Sequence, residues 1–191
     1  MNHVIIPHRA FYLIRHGETD WNVRRLITGQ QNISLNQKGQ SQAKSAAEVL
    51  KSKNIKQIFC SALQRTRQTA DIINQHLKAS IVYRDDLMER GWGQDEGKEH
   101  PCDTSLSTIE DKDLPEGAES STKFQNRITT ALIHILEHCD GTPLIVAHGG
   151  VFVTLIHFFE HQPLHIHNCL PYLFQPPLEN IKGWTFQEIK S

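Results

Sequence analysis

Leu13-Ile14-Arg15-His16-Gly17-Glu18-Thr19 is the stretch that decides how this chain is read. Tyr12, Leu13 and Ile14 form a short apolar run of the kind that fills a buried strand. The run breaks at once into a guanidinium, an imidazole, a glycine and a carboxylate. In an open α/β sheet the ligand crevice lies outside the carboxyl ends of the strands, so an Arg-His pair at such an end stands where chemistry is done. A loop of polar surface residues has the same composition. The two readings separate on whether the rest of the chain supplies partners.

Outward from this strand, placed near residues 10 to 15, a polar loop with Gly29 and Asn32 as turn residues runs to about Ser34. Ala43, Ala46, Ala47 and Leu50 then recur at i, i+3, i+4, i+7, the stripe of an amphipathic helix. Gln57 to Cys60 reads as a second strand. Ser61 is expected to cap a second helix carrying Leu63, Thr66, Ala70, Ile73 and Leu77, with Arg65 on its first turn. Ser80 to Tyr83 is a third strand, and Asp85 to Gly117 is expected to be an acidic, glycine- and proline-bearing loop with one short helix. Glu119 to Cys139 resumes the helical period, burying Phe124, Ile128, Leu132, Ile135 and Cys139. Pro143 to Ala147 is a buried strand ending in His148-Gly149-Gly150, followed by an apolar helix over Val151 to Phe159. Two strands, Tyr172 to Gln175 and Trp184 to Ile189, complete the chain. Strand and helix alternate, which predicts a three-layer α/β sandwich: one mostly parallel, doubly wound sheet with helices on both faces, residues 1–191 forming one domain.

The second His-Gly at a second strand end is the partner the opening stretch needs. A doubly wound sheet brings His16 and His148 into one crevice, where Arg15, Arg65 and Glu89 enter from neighbouring strand-to-loop transitions.

Whole-chain properties narrow the function classes. Twenty Lys and Arg against 21 Asp and Glu leave a net charge of −1, which argues against a nucleic-acid or membrane-surface binder and makes any anion preference local. The N-terminus has no charged head before a long apolar stretch, and no window approaches the roughly 18 apolar residues of a membrane span. Cys60, Cys102, Cys139 and Cys169 lie far apart, as reduced thiols of a cytoplasmic protein do.

These blocks together resemble the histidine phosphatase superfamily, in its phosphoglycerate-mutase-like branch. Leu13 to Asn22 matches the opening motif; Thr28-Gly29, Leu35 and Gly39-Gln40 follow at the family's spacing. Ser61 to Ala70, holding Arg65, matches the second arginine block. Leu87-Met88-Glu89 with Trp92-Gly93 and Glu96-Gly97 matches the acid block, and Val146 to Gly150 the second histidine block.

The resemblance implies a mechanism. His16 attacks phosphorus and becomes a phosphohistidine, its other ring nitrogen donating to a backbone carbonyl. Arg15 and Arg65 grip the non-bridging oxygens with their planar forks and keep His16 neutral. His148 is a further donor, and Gly149 and Gly150 allow close backbone approach. Glu89 protonates the leaving oxygen and then activates water. Asn22, Thr28 and Gly29 contact phosphate or substrate. No metal or other cofactor is required, and the partner is a small phosphorylated metabolite bound by a monomer or homodimer.

Within the resemblance, hydrolysis is favoured over mutase chemistry. Related mutases carry an Arg pair after the acid block, whereas residues 91 to 126 hold Lys98, Lys112 and Lys123, no Arg, and many acids. Trp92 stands where Phe or Tyr is common, Asp95 where Trp is common, and residues 28 to 32 lack the usual acid, so substrate preference is set locally, by Trp92, Asp95 and the 98 to 114 segment. Two other classes are weighed. A catalytically silent phospholigand-binding module is disfavoured because pocket and acid are all present. His134-Ile135-Leu136-Glu137-His138 has the H-x-x-E-H pattern of some zinc peptidases. It reads better as a solvated stripe with Arg127 and Thr130, and His161, His165 and His167 as a surface cluster.

Overall fold

A computed structural model of the chain describes residues 5–100, 111–162, 165–178 and 183–190. The expectations placed on the first four residues, on Cys102 and on positions 101 to 110 lie outside these residues.

β1 (Phe11–Arg15) sends alternate side chains into two cores. Phe11 and Leu13 join Phe59, Ile145 and Ala147 against α4 (Ser121–His138) and α5 (Gly149–Phe158). Tyr12 and Ile14 join Ile58, Cys60, Leu144 and Val146 against α2 (Gln37–Leu50) and α3 (Gln64–Leu77). A strand with both faces buried needs a continuous apolar run, and that is what Phe11 to Ile14 supplies. Each fully buried Leu- or Phe-sized side chain stabilises the fold by about 1.5–3 kcal/mol.

The remaining strands are β2 (Gln57–Ser61), β3 (Ser80–Arg84), β4 (Leu144–Ala147), β5 (Pro171–Gln175) and β6 (Thr185–Glu188). Their order in the sheet is β3-β2-β4-β1-β5-β6. The first four run parallel, and β5 and β6 add antiparallel at the β1 side. The doubly wound three-layer sandwich predicted from the alternation is what forms.

Register fixes the site. Arg15 pairs with Ala147 across β1 and β4, so the next residues, His16 and His148, leave the sheet side by side, their ring centroids 5.4 Å apart. The His16 amide extends the ladder to the Ala147 carbonyl at 3.0 Å. Beyond His16 the backbone is pressed against the start of α2. A Cβ on Gly17 would sit 2.5 Å from the Gly39 carbonyl oxygen, and one on Gly39 2.1 Å from that of Glu18.

Two local expectations are corrected. Ser61 is not a helix cap; it ends β2, and α3 starts after Leu63 without a side-chain cap. The polar stretch before Ser34 is not all loop. Thr19 and Asn22 exchange side-chain-to-backbone hydrogen bonds in a capping box that closes a one-turn α1 (Asp20–Val23). Cys60, Cys139 and Cys169 are buried free thiols, as their spacing predicts.

Candidate active site

His16 is buried, and each ring nitrogen has one assigned neighbour. Nδ1 lies 2.7 Å from the Gly17 carbonyl, and Nε2 lies 3.2 Å from Arg65 Nε. A guanidinium N–H only donates, so Nε2 must hold a lone pair and the ring proton sits on Nδ1, donated to Gly17. Burial pushes the His16 pKa well below its usual value near 6.5, and the guanidiniums of Arg65 and Arg15 push it further. The ring is therefore a neutral imidazole with one defined nucleophilic nitrogen.

Arg15 Nη1 donates to the Ile166 carbonyl at 2.8 Å, and its Nε is buried with no hydrogen-bond partner. His148 is fully buried. Its Nε2 meets Ser61 Oγ at 2.7 Å, while Nδ1 has no partner. A buried polar atom without a partner costs about 1–3 kcal/mol, and two of them here belong to residues packed around one imidazole. Burial, then Arg65, His16 and Arg15, holds His148 well below its ordinary pKa, so it too is neutral. Arg65 spends its fork partly on the protein: Nη1 donates to Gln31 O and Nη2 to Gly29 O, both at 2.8 Å. The family resemblance implies that this fork grips the non-bridging phosphoryl oxygens. In the structure it also ties the 29–31 loop to the site, and burial lowers the Arg65 pKa to about 10.

Glu89 reaches the same space from the segment after β3. Its Oε1 accepts from the Arg90 amide at 2.9 Å and its Oε2 from the Gly150 amide at 3.0 Å. The segment itself is clasped by Arg127, which donates to the carbonyls of Asp86 and Met88 at 3.0 and 2.9 Å. The Glu89 carbonyl accepts from Gln30 Nε2 at 3.0 Å. Arg127 closes on Glu119 through Nε and Nη2 at 2.9 and 2.6 Å. Arg127 therefore does not belong to the solvated stripe that its spacing predicts. Thr130, His134, Glu137 and His138 are exposed as expected, but Arg127 turns inward.

A cleft of about 920 Å³ opens over these groups. Arg15, His16, Arg65, Glu89, Asn22, Thr28, Gly29 and Gly150 line it; fully buried His148 and half-buried Gly149 do not. Asn22 Oδ1 is occupied by the Thr19 amide and Thr28 Oγ1 by the Leu26 carbonyl at 3.3 Å. Position 149 is not tight: a Cβ there would be 3.6 Å from Arg15 Nε, an ordinary contact. No local sequence pattern marks Asn168 as a site residue. Asn168 donates to the His16 carbonyl at 2.8 Å, beside the Cys169 amide on the Arg15 carbonyl at 2.9 Å, so the 166–169 loop holds the Arg15-His16 pair from behind.

The zinc-peptidase pattern finds no support. His134 Nδ1 faces Arg84 Nη1 at 3.0 Å, His138 Nδ1 faces the His134 carbonyl, and no metal-type group of three His, Cys, Asp or Glu forms among the described residues.

Residues 11–173 match the model of the histidine phosphatase superfamily, branch 1. The chain belongs to this superfamily. A Bacillus subtilis relative called uncharacterized phosphatase PhoE is 34% identical over 148 residues, 77% of this chain and 75% of its own length. A Proteus mirabilis relative called probable phosphoglycerate mutase GpmB is 34% identical over 201 residues, 92% of this chain and 90% of its own. The solved mycobacterial glucosyl-3-phosphoglycerate phosphatase, in complex with VO3, superposes with a TM-score of 0.79 over 96% of this chain and 98% of its own at 21% identity, a likeness of fold. As a histidine phosphatase superfamily member with such relatives, the chain is an enzyme of the phosphatase or mutase type. No helix among its described residues is long and apolar enough to cross a membrane.

Proposed function

We propose that the protein is a phosphatase that hydrolyses small phosphomonoesters through a phosphohistidine at His16, without metal or other cofactor, in the cytoplasm. The observation that carries this is the state of His16: a buried neutral ring, Nδ1–H committed to Gly17 O, Nε2 carrying its lone pair toward Arg65 Nε, in a cleft that Arg15 and Glu89 also line.

In the first step Nε2 forms a bond to phosphorus as the ester P–O bond breaks, and the leaving oxygen takes a proton from the Glu89 carboxyl. Arg15 and Arg65 neutralise charge on the non-bridging oxygens, with the unpartnered Arg15 Nε and His148 Nδ1 as further contacts. Gly17 O stabilises the ring while it carries the phosphoryl group and a positive charge. In the second step the Glu89 carboxylate takes a proton from water, the oxygen attacks phosphorus, and the P–Nε2 bond breaks. Phosphate leaves, and His16 is neutral again. Asn22, Thr28 and Gly29 line the approach on one side, and Gly149 and Gly150 start α5 on the other.

The mutase alternative rests on relatives such as the one called GpmB. A panel of phosphomonoesters, followed for released phosphate and for isomerised product, decides between them. Free phosphate from several substrates with no isomerisation is expected; isomerisation outrunning release would select the mutase.

A further inference from the structure

Arg25 is the lining cation that the proposed chemistry leaves unused. Of the four arginines on the cleft, Arg15 and Arg65 flank His16. Arg90 stacks 4.4 Å from the Trp92 ring centroid, donates to the Glu119 carbonyl at 2.8 Å and faces Asp111 at 3.7 Å. Of the two lining carboxylates among the described residues, Glu18 is paired with Lys38 at 2.9 Å and Glu89 accepts two amides. The Arg25 side chain is exposed and makes no hydrogen bond or ion pair with any described residue.

Its backbone is fixed all the same. Arg25 follows the C-cap of α1 in the left-handed region, φ 54°, where glycine or asparagine is the comfortable choice. An arginine there costs of order 1 kcal/mol, a cost a glycine would remove. The Arg25 carbonyl accepts from the His100 amide at 2.7 Å, and Ile27 exchanges bonds with Lys98 and Gly97 at 2.9 and 2.8 Å. This short antiparallel ribbon, centred on the Leu26–Glu99 bridge, forms one lip of the cleft. From exposed Arg25 the chain descends to buried Gly29, whose carbonyl is held by Arg65. Four extended residues span roughly 13 Å at most, so Arg25 stands within a small molecule's length of the phosphoryl pocket. Across the cleft, α5 presents Val153, Thr154 and His157 in line beyond Gly150, with no carboxylate among them.

We infer that Arg25 recognises a second anionic group, carried on the leaving-group portion of the substrate, so that the preferred substrates are phosphomonoesters whose alcohol also bears a carboxylate or a further phosphate-like anion. This deepens the hydrolase reading and rests on it. Once phosphate is matched by Arg15 and Arg65, Arg25 is the cleft arginine that has no ion pair with any described residue, and a guanidinium pairs with either kind of anion through the same two-pronged geometry.

Three aryl phosphates of nearly equal leaving-group acidity test it: 4-(2-carboxyethyl)phenyl phosphate, the corresponding phosphonoethyl compound and the neutral propionamide. The native protein is expected to favour one or both charged probes over the amide about three- to tenfold in kcat/KM, through KM, the range for a partly exposed charge-assisted pair. Which charged probe wins distinguishes carboxylate from phosphate-type anions. In Arg25→Gln the ratio should fall to about one, and in Arg25→Lys part of it should survive. Equal rates with all three probes in the native protein, or an unchanged ratio in Arg25→Gln, would overturn the inference. Calorimetric binding of the same probes to His16→Ala protein, which cannot turn them over, separates the two readings. A charge preference in binding without hydrolysis by native protein would sink the phosphatase and keep the Arg25 site; hydrolysis without a preference does the reverse.

Discussion

Gly150 and Glu89 fit together with no room for a side chain. The Gly150 amide donates to Glu89 Oε2 at 3.0 Å, and a Cβ at position 150 would fall 2.2 Å from Glu89 Oε1. The clashing atom is the end of a flexible side chain, so Gly150→Ala should displace the carboxylate rather than unfold the protein. We predict a loss of about 100-fold in kcat, the scale of a misplacement of roughly 1 Å, with a melting temperature within a few degrees of native. Steady-state kinetics beside a thermal melt checks both halves; full activity in a folded Gly150→Ala protein would contradict the placement of Glu89.

Glu89→Gln removes the proton donor and keeps the shape. Its effect should depend on how much the leaving oxygen needs a proton: about 10²- to 10⁴-fold for alkyl phosphates and much less for activated aryl phosphates. Rates across a series of leaving groups should therefore show a steeper dependence than native. An equal loss for all of them would remove Glu89 from the role of acid.

Arg127 holds the segment that carries Glu89, and its ion pair with Glu119 is largely buried, the two side chains being 21% and 11% exposed. Arg127→Met leaves Glu119 without its partner and releases the carbonyls of Asp86 and Met88. Loss of about 3 kcal/mol of stability is expected, since breaking a buried pair from one side strands the other charge. Chemical denaturation measures it, and an unchanged midpoint would show that the clasp contributes nothing.

That clasp has no signature in the local sequence. Phe124, Ile128, Leu132 and Ile135 declare α4 by their spacing, and all four are buried. Arg127 sits at helical spacing from His134 and Glu137, so periodicity alone assigns it to their exposed stripe. Only the path of the 86–89 segment, some forty residues away in the chain, turns it inward. The convergence of His16, His148, Arg65 and Glu89 was legible because each stands at a strand end or just after one, and parallel strands share one carboxyl edge. Asn168 was not, because its bond to the His16 carbonyl spans 152 residues and no local pattern marks it. Ser61 looked like a helix cap because a serine before an apolar helical stripe has that signature; its hydroxyl is committed instead to His148, placed beside it by the sheet register.

Stability should depend on pH through the two buried imidazoles. His16 and His148 both have folded pKa values well below 6.5, mainly through burial, so between that value and their folded pKa values the unfolded chain binds more protons. Their contribution is fully present above about pH 6.5 and declines as pH falls below it, approaching 1.4 kcal/mol per pH unit for each histidine. Denaturation midpoints at pH 7.5, 6.5 and 5.5 test this, above the range where Glu18, with its lowered pKa, begins to protonate. Flat midpoints over that interval would mean that the imidazoles are not buried as neutral rings.

The central claim is tested most directly by stopping turnover of a labelled phosphomonoester within milliseconds under alkaline conditions and locating the label. The account predicts an acid-labile phosphoryl group on His16, bonded to Nε2, because Nδ1 holds its proton against Gly17 O. A label on another residue or on Nδ1, or hydrolysis that proceeds at native rate in His16→Ala with no labelled protein, would contradict it.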